Sequence, residues 1–367
     1  MTEYWASVIK LGSSALGALM GFSDRILGRK TLNGGPRIES VVPSAALAGG
    51  EVRISGSGLR PQELLRPKVR FGDFEGPIVV SSDAFLVTRV PEGATSGPVV
   101  VATDGHDSNA QVVQVAVPIA ENLHPVTNPA LDAEGNIYVT FSGSRGQKVP
   151  VSIFKIDTNY AVKPFVPEMM NPTAIAFDRE GQMYVSSRFD GAVYRVAPNG
   201  AMSTYAEGMG IATGIAFDRD QSLYVGDRNG TIFKISRDQQ VFVFATLELS
   251  VSAYHLAFSP QGDLFVTGPN DRVFRIDPRG SVSTFYKGLG RPQGLAFDAD
   301  GNLYVAASLA GTRSIVKLTP DAKASLAISG QGLVGLAFGP GRSVILATSS
   351  EVHHLSWDVQ GLRLLPE

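Results

Sequence analysis

One phrase recurs through the C-terminal two thirds of this chain, and the fold must accommodate every copy of it. In the stretch from Asn171 to Gly200 an apolar run ends in Ala176-Phe177-Asp178, a turn holds Gly181, and a second run reads Met183-Tyr184-Val185. A third run, Val193-Tyr194-Arg195-Val196, follows a further turn. The phrase returns as Ile215-Ala216-Phe217-Asp218 with Leu223-Tyr224-Val225, and as Leu256-Ala257-Phe258-Ser259 with Leu264-Phe265-Val266. It returns again as Leu295-Ala296-Phe297-Asp298 with Leu303-Tyr304-Val305, and as Leu336-Ala337-Phe338-Gly339 with Val344-Ile345-Leu346. A degenerate first copy is Pro129-Ala130-Leu131-Asp132 with Ile137-Tyr138-Val139. The equivalent second-run positions 138, 184, 224, 265, 304 and 345 are spaced by 46, 40, 41, 39 and 41 residues. Short strands repeating every forty residues or so, with turn residues between them, predict a β-propeller, here of six blades over residues 124–367.

The blade physics explains its letters. An inner strand beside a central channel favours small and apolar residues, and Asp-x-x-Gly makes the next turn, its carboxylate capping backbone amides. The second-strand aromatic is expected to pack between neighbouring blades. Asp132, Asp178, Asp218 and Asp298 therefore read as turn-formers rather than a catalytic carboxylate set.

Two further segments precede the repeats, which makes the predicted fold all-β with an added helix. In residues 1–35, apolar residues at Tyr4, Trp5, Val8, Ile9, Leu16, Leu19, Met20, Ile26 and Leu27 form a helical stripe. Thr2 suits the N-cap, Glu3 the first turn, and Gly28 the stop. Leaving such a face in water would cost well over ~10 kcal/mol, at roughly 1.5–3 kcal/mol per large side chain. Packing on the chain itself or on another copy is one way to bury it. Docking through residues 2–28 to a protein partner or a membrane-associated complex is another; Leu11 to Ser23 carries no charge, and Gly17 and Gly21 have the small-residue spacing of close helix contacts. A signal peptide fits less well, because an acid precedes the single lysine and Asp24-Arg25 interrupts any cleavage region. The expected location is cytoplasmic or peripheral to a membrane.

Residues 36–118 change to strands of period two with Gly/Pro turns, as in a small β-sandwich. Pro36-Arg37-Ile38, Pro43, Gly49-Gly50, Val52-Arg53-Ile54-Ser55-Gly56-Ser57-Gly58-Leu59, Val69-Arg70-Phe71-Gly72 and Val90-Pro91 through Val99-Val100-Val101 resemble, in that order, an IPT/TIG domain of the bacterial kind. The resemblance implies an immunoglobulin-like spacer or adhesive module without catalysis. Asp104-Gly105-His106-Asp107 within it reads as a hairpin turn.

The repeat phrase, best preserved as Pro292-Gln293-Gly294-Leu295-Ala296-Phe297-Asp298 with Gly301-Asn302-Leu303-Tyr304-Val305, resembles NHL repeats, gluconolactonase-like (senescence-marker) propellers and streptogramin-lyase propellers alike. The lactonase-like resemblance implies calcium or another divalent ion in the channel, held by Glu, Asn and Asp, with Asn and Asp just before the inner-strand glycine. Here that column reads Thr127, Thr173, Thr213, Tyr254, Gln293 and Val334, and only Asn128 and Asn171 lie nearby as metal candidates. No cofactor is predicted; a calcium-type ion belongs to the enzymatic alternative.

Ligand-binding candidates at the second-strand exits and inner-strand entries are Arg188, Asp227, Arg228, Tyr254 and Gln293, a set suited to an anionic or polar small molecule. Arg–Asp pairing between adjacent blades is the simpler explanation of the charged members. His255 stands out, because it occupies an inner-strand position that holds Ala174, Gly214, Gly294 and Gly335 in other copies. The lyase resemblance implies a channel histidine as general acid or base; space-filling in one wider blade is the competing reading. His353 and His354, adjacent on a strand, point to opposite faces.

A net charge of −2 offers no basic field for nucleic acid, and the absence of cysteine removes disulfides and thiolate chemistry. No nucleophile elbow, His-Glu-x-x-His or phosphate loop occurs. The leading expectation is a non-catalytic binding or assembly subunit, with the propeller as recognition scaffold and the helix as docking element. The alternative is a metal-dependent hydrolase (lactonase) or lyase with His255 and Asp227 in the channel.

Overall fold

The computed structural model describes residues 35–362, apart from 62–65, 144–147, 250, 251 and 269. These residues are all β, and no helix occurs among them. This corrects the expectation of an all-β fold with an added helix: the proposed helix lies in residues 1–34, outside the described residues.

The repeats fold into four-stranded antiparallel sheets that succeed one another along the chain. One sheet runs Ala212–Phe217, Leu223–Asp227, Thr231–Ile235 and Val241–Thr246 in sequential order, from the inner to the outer strand. The preceding sheet, from Pro172–Phe177 to Met202–Ala206, and the following one, from His255–Phe258 to Val282–Lys287, have the same order. So do the sheets beginning at Ala130–Leu131 and Leu295–Phe297. The last sheet takes only three strands from the C-terminal end, Leu333–Gly339, Ser343–Thr348 and Val352–Ser356. Its outer strand is Val117–Ala120, from the start of the ring, so the expected domain boundary at residue 118 falls inside a propeller strand. Pairing the two ends of the ring in one sheet closes it and removes an exposed edge.

The repeat letters act as the blade physics requires. Asp178 Oδ1 accepts from the amides of Glu180 (3.1 Å) and Gln182 (2.8 Å), and Asp132, Asp218 and Asp298 each take the amide four residues on. Each second-strand aromatic meets the inner-strand phenylalanine of the next blade edge to face. The Tyr184–Phe217, Tyr224–Phe258 and Phe265–Phe297 ring centres are 5.0 Å apart. Tyr138–Phe177 and Tyr304–Phe338 stand at 5.5 Å. Where the last blade has Ile345 and the first has Leu131, the seam is aliphatic, packed with Ile137, Val139 and Val352.

Residues 37–115 form the sandwich. Arg37–Val42, Glu51–Ser57, Phe85–Arg89 and Ile78–Ser81 make one sheet, facing a second that contains Lys68–Phe71, Gly97–Thr103 and Gln111–Val115. Alternation in these strands turns Val52, Ile54, Val69, Phe71, Val99 and Val101 into a dry core. The Asp104–Asp107 stretch is a hairpin turn joining Thr103 to His106, as expected, and Asp107 receives Arg70 at 2.5 Å.

The sandwich is welded to the ring. Ala45–Ala46 pairs in parallel with Gln111–Val115 on one side and with Ser329 of the fifth repeat sheet on the other. The Leu47 amide donates to Ser329 O at 2.8 Å, and a Cβ at Gly50 would stand 2.6 Å from the same oxygen. Glycine is required there for the backbones to approach.

Phe217→Ala empties an interblade contact that is buried on both sides. It is expected to lower unfolding free energy by ~3–5 kcal/mol, read from the urea midpoint at constant slope; a loss below ~1 kcal/mol would show that the ring does not depend on it.

Candidate functional site

The inner strands converge on a channel whose two ends differ. Toward the Phe-Asp turns it widens into a cavity of about 690 Å³, lined by the Ile/Leu-Ala-Phe segments 175–177, 215–217, 256–258, 295–297 and 336–338. The small and apolar inner-strand residues expected beside a central channel supply its wall.

At the opposite end the inner strands enter the ring, and their backbones crowd one another. A Cβ on Gly214 would lie 2.4 Å from Tyr254 O, and one on Gly294 only 2.0 Å from Asn128 Oδ1. In the strand His255–Phe258 the equivalent position carries an imidazole instead. His255 is 5% exposed, opposite Thr267 in the ladder. Neither ring nitrogen has a hydrogen-bond partner in the protein. Burial alone drives its pKa down to about 4, so the ring is a neutral imidazole at physiological pH.

The other predicted residues serve the scaffold more than the channel. Asp227, buried, accepts the Ile211 amide at 2.8 Å and the Asn229 side-chain amide at 3.4 Å, which ties its carboxylate to the loop before its own inner strand. It caps this loop, and no hydrogen bond links it to His255. Arg188 donates to Ser142 Oγ at 3.1 Å, across to the preceding blade. Arg228, next to Asp227, donates its backbone amide to Ile211 O at 3.3 Å. Tyr254 is fully buried; its hydroxyl donates to Glu248 O and its amide to Thr213 Oγ1 at 3.1 Å. Burial, with Asp227 and Glu248 nearby, pushes the phenol up to about 12. Gln293 accepts from Arg313 Nη2 through its side chain and from Thr267 Oγ1, at 2.5 Å, through its carbonyl.

The two metal candidates are placed as clasps. Asn128 donates to Leu295 O at 2.8 Å and accepts the Leu336 amide at 3.1 Å, stitching the first inner strand to the fifth and sixth. Asn171, buried at a positive φ of 43°, donates to Gly143 O at 3.2 Å. Thr213 Oγ1 is committed to Gly226 O at 2.8 Å. Among the described residues no group of three acids or histidines is arranged to hold an ion. A hard cation needs six or so converging oxygens, several of them anionic, and this donor set does not fit one.

Arg313 was not singled out from the sequence. It extends from the long hairpin strand Thr312–Leu318, where the repeat phrase gives no reason to expect a cation, and its guanidinium reaches the Gln293 column. The available signal is the spacing from Val305 to Ile315, longer than that from Val185 to Val193 or from Val225 to Ile232.

This geometry can be set beside known proteins. Residues 36–116 match the IPT/TIG domain. No curated protein matches the chain. Among solved structures, a gluconolactonase from Xanthomonas campestris superposes with a TM-score of 0.56 at 14% identity, over 65% of this chain and 89% of its own. Auxiliary nutrient binding proteins from Bacteroides ovatus and Bacteroides thetaiotaomicron superpose with TM-scores of 0.54 at 12% and 13% identity, each over 88% of this chain and 98% of theirs. The fold is a gluconolactonase-like β-propeller preceded by an IPT/TIG domain. At these identities the likeness establishes architecture and leaves chemistry to the site.

The histidine gives a pH signature. Its folded pKa, near 4, lies below the unfolded value, so the unfolded chain binds the proton more readily between these two pH values. Stability is therefore full above pH ~6.5 and falls toward pH ~4, by roughly 3 kcal/mol from this group alone. His255→Gln is expected to flatten the loss between pH 7 and pH 4.5 in urea titrations; an unchanged slope would place the ring in contact with solvent.

Proposed function

We propose that this propeller acts on a small molecule, as a hydrolase or lyase of the gluconolactonase-like class, with His255 as the proton acceptor in the channel. The observation that carries this reading is the buried, neutral imidazole without a protein partner, standing where other inner strands have glycine or alanine. A ring held this way can take the proton that an attacking water loses in hydrolysis, or the one removed from carbon in an elimination. The architecture shared with a gluconolactonase supports the reading. The recurrence of the blade phrase supports a propeller of six blades with NHL-like repeats. Because the donor set does not fit a divalent ion, no step is assigned to a metal.

The test is a turnover assay of the full-length protein against a panel of lactones, with and without chelator. Turnover of at least one lactone, insensitive to chelator and reduced by ~10²-fold or more in folded His255→Ala, is expected. Absence of turnover, or equal rates in the variant, would reject the reading.

A second reading, a binding subunit without catalysis, is favoured by a different observation. The nutrient binding proteins align over 88% of this chain, a span longer than the propeller alone. In either case we infer that residues 2–28 dock the protein to a protein partner or a membrane-associated complex, placing it in the cytoplasm or at a membrane periphery. The apolar stripe in that segment supports this. Deleting residues 1–30 is expected to leave the propeller folded while changing its fractionation or its assembly state on gel filtration; identical behaviour in both would remove the docking role.

A further inference from the structure

We propose that the His255 end of the channel carries a cationic subsite, built by Arg291 and Arg313, that takes the oxyanion (carboxylate or phosphate) of a small-molecule ligand. This deepens the reading of the channel as a ligand site and rests on it.

Several cations elsewhere in the ring are given carboxylates, while the exposed Arg179 and Arg219 donate to main-chain carbonyls in water. Lys234 stands 3.5 Å from Asp218, Arg275 2.7 Å from Asp263, and Arg272 3.2 Å from Glu248. Arg313 is treated differently. Half-buried, it donates from Nε to Leu333 O and from Nη1 to Arg291 O, both at 3.0 Å, and from Nη2 to Gln293 Oε1 and Leu333 O. Every acceptor is neutral. Among the described residues no carboxylate pairs with Arg313 or with Arg291. Burial, and then the charge of Arg291, hold the Arg313 pKa down at about 10, so the two guanidiniums feel each other.

A cation taken partly out of water without a counter-charge is costly, and a bound anion would relieve that cost. The two arginines divide the task. Arg313 has most of its N–H groups committed, so it supplies field and holds the loop. The exposed Arg291 side chain keeps its planar fork, the geometry that matches a carboxylate or phosphate in bidentate fashion. Its backbone sits at a positive φ of 47°, a conformation rare for a residue with a side chain. The Arg313 clasp on its carbonyl helps to maintain it.

Thr267 ties this pair to the channel. It lies opposite His255 in the ladder and donates at 2.5 Å to the carbonyl of Gln293, whose side chain receives Arg313. These bonds link the strand that pairs with His255 to the loop that carries Arg291, so one ligand is proposed to reach both.

Calorimetric titration of the full-length protein with sodium gluconate and with inorganic phosphate, at ionic strength matched with chloride, separates the carboxylate and phosphate cases. At least one of them is expected to bind with one site per chain. Arg291→Gln should weaken it by about tenfold or more, and Arg291→Lys should recover part of the loss. The substituted side chain is exposed, so a folding defect is not expected; near-ultraviolet circular dichroism checks this. His255→Ala should retain anion binding. Binding of neither anion above chloride, or equal affinity in Arg291→Gln, would overturn the subsite. Anion binding without lactone turnover would uphold the subsite and remove the catalytic reading. Turnover dependent on His255 but without anion binding would do the reverse.

Discussion

The edge-to-face contact between a second-strand aromatic and the phenylalanine of the next inner strand is the interaction on which this molecule depends. Each such pair is worth only ~0.5–1.5 kcal/mol beyond its buried area, but it recurs from blade to blade and fixes the stagger of neighbouring sheets. Cations reinforce it from above: the charged ends of Lys155 and Lys234 lie over the Tyr138 and Tyr224 rings and also reach Asp132 and Asp218. The same aspartates cap the turns that follow the inner strands. One short phrase thus sets turn, strand pairing and interblade packing together, and this agreement between levels makes the repeat fold one way.

Because the inner strands are held by these contacts, their entry ends are brought close enough that glycine or alanine is needed at most of them. That crowding gives His255 its meaning. An imidazole costs hydration when it is buried without a partner, and among the inner strands the fold accommodates this cost at one blade only; His353, on the third strand of the last sheet, is a second buried imidazole. The price is visible in the lowered pKa of His255. Local rules broken at one site inside an otherwise regular repeat are where function is expected.

Much of this was legible in the sequence. The Tyr184 and Phe217 columns foretold the interblade packing, Asp178 and its equivalents the turns, and His255 was visible as the large residue in a small-residue column. Other features depend on contacts far apart in the chain and leave no local trace. Val117–Ala120 reads as the end of a sandwich, yet it is the outer strand of the last sheet. Asn128 resembles a metal ligand in one dimension; only in three does its amide clasp Leu295 and Leu336. Asp227 reads as a channel acid from its place at a second-strand exit, but its carboxylate accepts the Ile211 amide. Arg313 escaped notice because its hairpin departs from the repeat.

The central claim is that His255 is a buried, neutral, partnerless imidazole available to a ligand in the channel. Nuclear magnetic resonance of the protein carrying ¹⁵N-labelled histidine tests this directly, by following the ring nitrogens against pH and against an added lactone. The account predicts a titration near pH 4 and a shift of one ring nitrogen on ligand addition. An ordinary titration at pH ~6.5, unmoved by any ligand, would contradict it.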